Sequence, residues 1–140
     1  QTLVVFFIAA SMGMIGFYST FIYVVLGGLG LPLFANGGGI GYIFSPTFGF
    51  LYGMVISSFI IAYILKSEVN TGLIKLSATI LAGAFVIFLC GISHLSFFVG
   101  IEQAINLGLL PFLYSEFLKI VLAIAIIFGL IQRVNQKNHK

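Results

Sequence analysis

The chain has 140 residues, of which 61% are hydrophobic and only 6% charged, and its mean hydropathy is +1.23. Soluble domains carry roughly a quarter charged residues, and six Lys or Arg with three Asp or Glu, net +3, cannot cover a water-facing surface. A cytosolic globular enzyme, a nucleic-acid binder and a disordered chain are thereby excluded, and the single cysteine, Cys90, supplies neither an intrachain disulfide nor a thiolate metal site.

A lipid core about 30 Å thick takes about 20 apolar residues per helix. The uncharged stretch Gln1–Leu31 is short for two full spans, and Gly13 and Gly16 interrupt it. It predicts a hairpin of two reduced helices, near Gln1–Ser11 and Ile15–Gly30. A Gly-rich loop follows over 31–46. Thr47–Leu65 carries no charge and reads as a span. The turn 66–72 leads to a second long span, Leu73–Ile92, whose only charge is Lys75 near its start. In the loop Ser93–Gly108, the segment Glu102-Gln-Ala-Ile-Asn106 predicts a short interfacial helix with Glu102 and Asn106 on its wet face. Leu110–Gln132 is the last span, apolar apart from Glu116 and Lys119. The expected fold is an all-α membrane protein, one compact helical bundle over 1–140, with five spans visible.

Lys and Arg placement orients the bundle. Lys66 and Lys75 flank the turn 66–72, and Arg133, Lys137 and Lys140 fill the tail 133–140, whereas the other two loops carry no Lys or Arg. Turn and tail are therefore expected in the cytoplasm and the Gly-rich loop outside. Five spans with the carboxyl terminus inside put Gln1 outside, in a hydrophobic run without an initiator methionine. From this a sixth span ahead of Gln1 is expected in the intact protein.

The segment from Leu31 to Thr47 holds four Gly and two Pro in 17 residues, no charge and several large apolar side chains. An ordinary exposed loop would be polar. This one is expected to fold back on the bundle at membrane depth, where irregular backbone is tolerated only against protein or a cavity. A plain membrane-surface hairpin is the other reading. A phosphate cradle is not supported, since no Lys-Ser/Thr follows the glycines.

Pro111 suits the first turn of the last helix, where its missing N–H costs nothing. Glu116 and Lys119 then lie roughly 8 and 12 Å further along the axis, in the outer third of the membrane. Their i,i+3 spacing puts both on one face, and each charge at the bilayer centre would cost on the order of 3 kcal/mol. An ion pair locking helices together is one reading. The other is a polar ligand site opening outward, with Lys119 as donor and Glu116 as acceptor, on the same side as the Gly-rich loop. Phe34, Tyr42 and Tyr52 are placed either to line a partly apolar pocket there or to anchor the interface. His94 and Glu102 lack a third ligand at metal-binding spacing, and Ser45 lacks a nucleophile turn. The small-residue pairs Ala9/Gly13, Gly49/Gly53, Gly53/Ser57 and Ala78/Ala82 favour close helix packing in lipid, within the chain or against a partner protein.

Taken in series, Gln1-Thr-Leu-Val-Val, Gly27-Gly-Leu-Gly-Leu-Pro32-Leu-Phe-Ala, the glycine run, Ser45-Pro-Thr-Phe-Gly-Phe50 and Leu110-Pro-Phe-Leu-Tyr-Ser-Glu116-Phe-Leu-Lys119 resemble the BioY family, the biotin-binding S-components of energy-coupling factor (ECF) vitamin transporters. The resemblance covers essentially the whole chain and begins after the family's first helix. It implies a bundle of six helices in the bacterial plasma membrane, with a biotin pocket near the outer surface. It implies as partners a membrane coupling subunit and two cytoplasmic ATPases, no cofactor, and no enzymatic activity in this chain. The acid and Lys of the last-helix motif map to Glu116 and Lys119, and the family usually has Asp where Glu116 stands. Asn36 and Gln1 carry over as further ligand contacts. An S-component for another small vitamin, an intramembrane enzyme and a purely structural membrane subunit are the competing readings.

Overall fold

The computed structural model describes residues 1–34, 37–66 and 71–138, with the side chains of 135, 137 and 138 outside the description. Among the described residues the chain is helical throughout, in the order α1 Thr2–Met12, α2 Met14–Gly28, α3 Ile40–Ile43, α4 Phe48–Leu65, α5 Leu73–Val99, α6 Ile101–Gly108 and α7 Leu110–Asn138. By length and composition, Phe48–Leu65, Leu73–Val99 and Leu110–Val134 can each cross a membrane. The shorter α1 and α2 are the expected reduced pair, with 11 and 15 residues.

Glycine sets the α1–α2 junction. Gly13, between the two helices, has φ 57°. A Cβ at Gly16 would strike the backbone of Ile8 and Ala9, so the two helices touch main chain to main chain. The same device joins α4 to α5. Gly49 rests on the Cβ of His94, Gly53 on Cys90 and Ile87, and Gly83 of α5 faces Ser57 and Ile61 of α4. In lipid there is little hydrophobic drive between helices, so this close dispersion contact is what holds them. Ala78 and Ala82 behave differently and stand exposed on the outside of α5.

The core follows from these approaches. Phe6 and Ala9 of α1, Leu51 and Ile61 of α4, Leu76, Ile80 and Ile87 of α5, and Ala123 and Ile127 of α7 form one buried cluster. Around it Ile74, Phe85, Phe97, Tyr114 and Phe117 remain exposed, the surface expected of a chain solvated by lipid. Helix α1 touches α2, α4, α5 and α7.

Two boundaries differ from the sequence expectation. Helix α5 continues to Val99 rather than stopping at Ile92, so His94 sits inside it and the loop Ser93–Gly108 is almost wholly helical. Ser93 and Ser96 broke the apolar run, yet the Ser96 hydroxyl bonds to the Ser93 carbonyl oxygen at 2.7 Å and so costs the helix little. Gly100, φ 82°, ends α5 and opens α6, the interfacial helix expected around Glu102. Helix α7 also runs on to Asn138, so the residues expected as a tail begin as helix. Of the turn 66–72, residues 67–70 lie outside the description; Lys66 closes α4 in the left-handed conformation, φ 45°.

Candidate functional site

The spacing of Glu116 and Lys119 does what helix geometry requires. Lys119 Nζ donates to Glu116 Oε1 at 2.6 Å, with the Lys side chain 36% exposed and the Glu side chain 9%. The carboxylate is thus sunk in the bundle and the ammonium is partly exposed. A buried carboxylate needs more than one partner. The second comes from α1, where Thr2 Oγ1 donates across to Glu116, 3.0 Å from each carboxylate oxygen.

Gln1, one residue earlier, points elsewhere. Successive side chains on a helix diverge by about 100°, and Gln1 Nε2 donates to the Tyr23 hydroxyl of α2 at 2.8 Å. Tyr23 passes its own hydrogen to the Leu33 carbonyl oxygen at 2.9 Å. The amino-terminal end of α1 therefore meets the charged pair through Thr2 and the Gly-rich loop through Gln1.

The loop folds back on the bundle as expected. Phe34, 5% exposed, is driven onto Gly27, where its ring occupies the space a Cβ would fill. It lies edge-on to Tyr23, with ring centres 5.7 Å apart, and tilts against Tyr42 at 4.8 Å. Phe34 and Gly37 exchange backbone hydrogen bonds of 2.8 and 3.0 Å, and Gly37 takes φ 105°, open to glycine but strained for other residues. Gly39 N–H bonds to the Gly27 carbonyl oxygen at 2.8 Å and so returns the loop to the end of α2.

The far end of the loop is tied to α5. The Tyr42 hydroxyl lies 3.1 Å from Thr47 Oγ1, and Ser45 Oγ 3.3 Å from the same oxygen. His94 Nε2 lies 3.2 Å from the Ser45 carbonyl oxygen. A carbonyl can only accept, so that nitrogen carries the hydrogen. Tyr52 packs edge-on to His94 and donates to the Cys90 carbonyl oxygen at 3.2 Å.

Of the residues singled out from sequence, Glu116 and Lys119 are bonded to each other, Phe34 and Tyr42 pack at a tilt, and Gln1 reaches Phe34 through Tyr23. Tyr52 belongs instead to the α4–α5 seam, joined to the loop through His94. Asn36 lies outside the described residues. Sequence reasoning missed Thr2 and Tyr23. Both stand in apolar helices, and only the polar pair Gln1-Thr2 opening such a helix hinted at an internal role. Among the described residues no three His, Cys, Asp or Glu side chains come together as a metal site.

Comparison with known proteins gives a consistent set. The family model described as BioY matches residues 1–136. A protein of Thermotoga maritima named biotin transporter BioY is 37% identical over 128 residues, which cover 87% of this chain and 75% of that protein. One from Pyrococcus horikoshii, named probable biotin transporter BioY, is 38% identical over 113 residues, 80% of this chain and 65% of that protein. The 2.1 Å crystal structure of the S-component for biotin from an ECF-type ABC transporter superposes with a TM-score of 0.82 at 21% identity, over 94% of this chain and 74% of that one. The two share a fold.

Proposed function

This chain belongs to the BioY family, and from that premise we propose that it captures biotin as the membrane-embedded substrate-binding component of an ECF-type transporter. It is a transport protein and not an enzyme. What carries the reading is the Glu116–Lys119 pair, 2.6 Å apart and anchored by Thr2, whose helix end also reaches the Gly-rich loop through Gln1 and Tyr23.

The chemistry of biotin fits this pair. Its ureido head presents N–H donors next to a carbonyl, with N and O about 2.3 Å apart from bond lengths alone. An ionised Glu116 accepts from a ureido N–H, and Lys119 has two further N–H donors, one of which serves the carbonyl. A carboxylate and an ammonium at 2.6 Å thus match the donor and acceptor of one urea edge. The thioether ring and aliphatic tail suit the aromatic side chains of Phe34 and Tyr42, Asn36 serves the ureido head, and the biotin carboxylate falls to Gln1, Tyr42 or backbone N–H groups. An apolar pocket with a few placed polar groups is the usual design for a small-ligand site.

The topology is that of a bacterial plasma-membrane protein with its carboxyl terminus in the cytoplasm. Lys66, Lys75 and Arg133 cluster towards one end, and the site lies at the other. Uptake requires an ECF module, a membrane coupling subunit with two cytoplasmic ATPases, to release the captured vitamin inward. Calorimetry of the purified protein against biotin, thiamine and riboflavin tests the reading. Biotin alone binds, and Lys119→Ala weakens it at least tenfold. Absence of biotin binding, or an unchanged Lys119→Ala, refutes it.

A further inference from the structure

We infer that Thr2 is a positioning residue that sets the hydrogen-bonding sense of the site, by holding Glu116 as a fixed, acceptor-only carboxylate. The inference rests on the role given to Glu116 above and assigns the part played by its partner on α1.

Three observations carry it. Thr2 is itself buried, 8% exposed, and its hydroxyl is equidistant from both carboxylate oxygens at 3.0 Å. Lys119 already occupies Oε1 at 2.6 Å. The Glu116 side chain is 9% exposed, and the terminal torsion of a Glu side chain is broad, so the second donor from α1 helps fix the plane of the carboxylate.

The consequences follow from counting lone pairs. An ionised carboxylate offers about four acceptor positions. Thr2 and Lys119 take two of them, both as donors, and two remain for a ligand. Held by two donors, the carboxylate presents its remaining lone pairs to a ligand as acceptors. At Glu116 the site is then selective for ligand groups that carry N–H, and an isostere that presents only an acceptor to the carboxylate is left unmatched there. A site built this way rejects the wrong partner because a buried polar group is left unmatched.

The test uses the purified protein with Thr2→Val, which keeps the shape and removes the hydroxyl, and Thr2→Ser, which keeps the hydroxyl. The probes are biotin and biotin methylated on a ureido nitrogen. Thr2→Val weakens biotin about tenfold and the methylated compound less than threefold, so discrimination narrows, and Thr2→Ser restores it. Equal weakening of both ligands, or no weakening of either, overturns the inference. A second readout needs no ligand. The infrared carboxylate stretch of Glu116, assigned with Glu116→Gln, moves in Thr2→Val and returns in Thr2→Ser. If the parent protein does not bind biotin, the proposed function fails while this band still decides the role of Thr2; an unmoved band overturns it.

Discussion

His94 Nε2 lies 3.2 Å from the carbonyl oxygen of Ser45, 49 positions away, and thereby ties the end of the Gly-rich loop to the carboxyl-terminal part of α5. The same carbonyl oxygen also accepts from Phe48 N–H at 3.1 Å, so losing the imidazole would not orphan it. The His94 ring is packed by Phe48, Tyr52 and Phe98, with centres 5.4 to 6.5 Å away. His94→Phe keeps that packing and removes the hydrogen bond. The expected cost is about 1 kcal/mol, with amide exchange quickened over Ser45–Phe48 and unchanged in α1. Hydrogen-exchange mass spectrometry checks both.

Gly27 is the seat of Phe34, and its neighbour Gly28 has open space where a Cβ would stand. Gly27→Ala must push the Phe34 ring out from between Tyr23 and Tyr42, at a cost of about 1–3 kcal/mol. Biotin should then dissociate several-fold faster as the loop loosens. Gly28→Ala should be neutral or stabilising by up to about 1 kcal/mol. Thermal melts and ligand chase experiments on the two variants separate the close-packed glycine from the merely helical one.

The charged pair can be separated from the ligand by a double-mutant cycle. Lys119→Met leaves Glu116 sunk with Thr2 as its remaining donor. We expect a loss of about 1–2 kcal/mol, less than for a fully enclosed pair because Lys119 is 36% exposed. Adding Glu116→Met should recover most of that stability without recovering biotin binding. A double variant as unstable as the single one would show that the pair's neighbours, and not its charges, hold α7 in place.

Ser57 places a buried hydroxyl against α5 with no hydrogen-bond partner among the described residues. Ser57→Ala removes that unmet donor and should stabilise the bundle by up to about 1 kcal/mol. Gly83→Ala puts a methyl 2.7 Å from Ser57 Oγ and from Ile61 Cδ1, and should cost about 1–3 kcal/mol. Since part of that clash is with the hydroxyl, Ser57→Ala should partly rescue Gly83→Ala. Strict additivity of the two changes in denaturant titrations would disprove the contact.

The long helices were legible because lipid demands uninterrupted apolar runs, and α4 begins and ends within a residue of the expected span. The Glu116–Lys119 contact was legible because i,i+3 geometry is local. Less legible was whatever depends on two distant segments meeting. Thr2 finds Glu116 across 114 positions, and nothing in the apolar sequence around Thr2 encodes its partner. Nothing in the sequence marks Tyr23, whose hydroxyl meets Gln1 of α1's start and the Leu33 carbonyl oxygen only in the fold. The extension of α5 through His94 was hidden because serines read as loop in a hydropathy count, yet the Ser96 hydroxyl is satisfied by the Ser93 carbonyl oxygen a turn back.

Gln1 and Thr2 are joined by one peptide bond, yet one secures the loop through Tyr23 and the other secures the carboxylate. Rolling α1 by ~20° sweeps side-chain tips ~6 Å from its axis through ~2 Å, enough to undo both bonds together. The loop and the carboxylate therefore share one anchor, the amino-terminal end of α1, and neither bond can be kept by a setting of that helix that breaks the other.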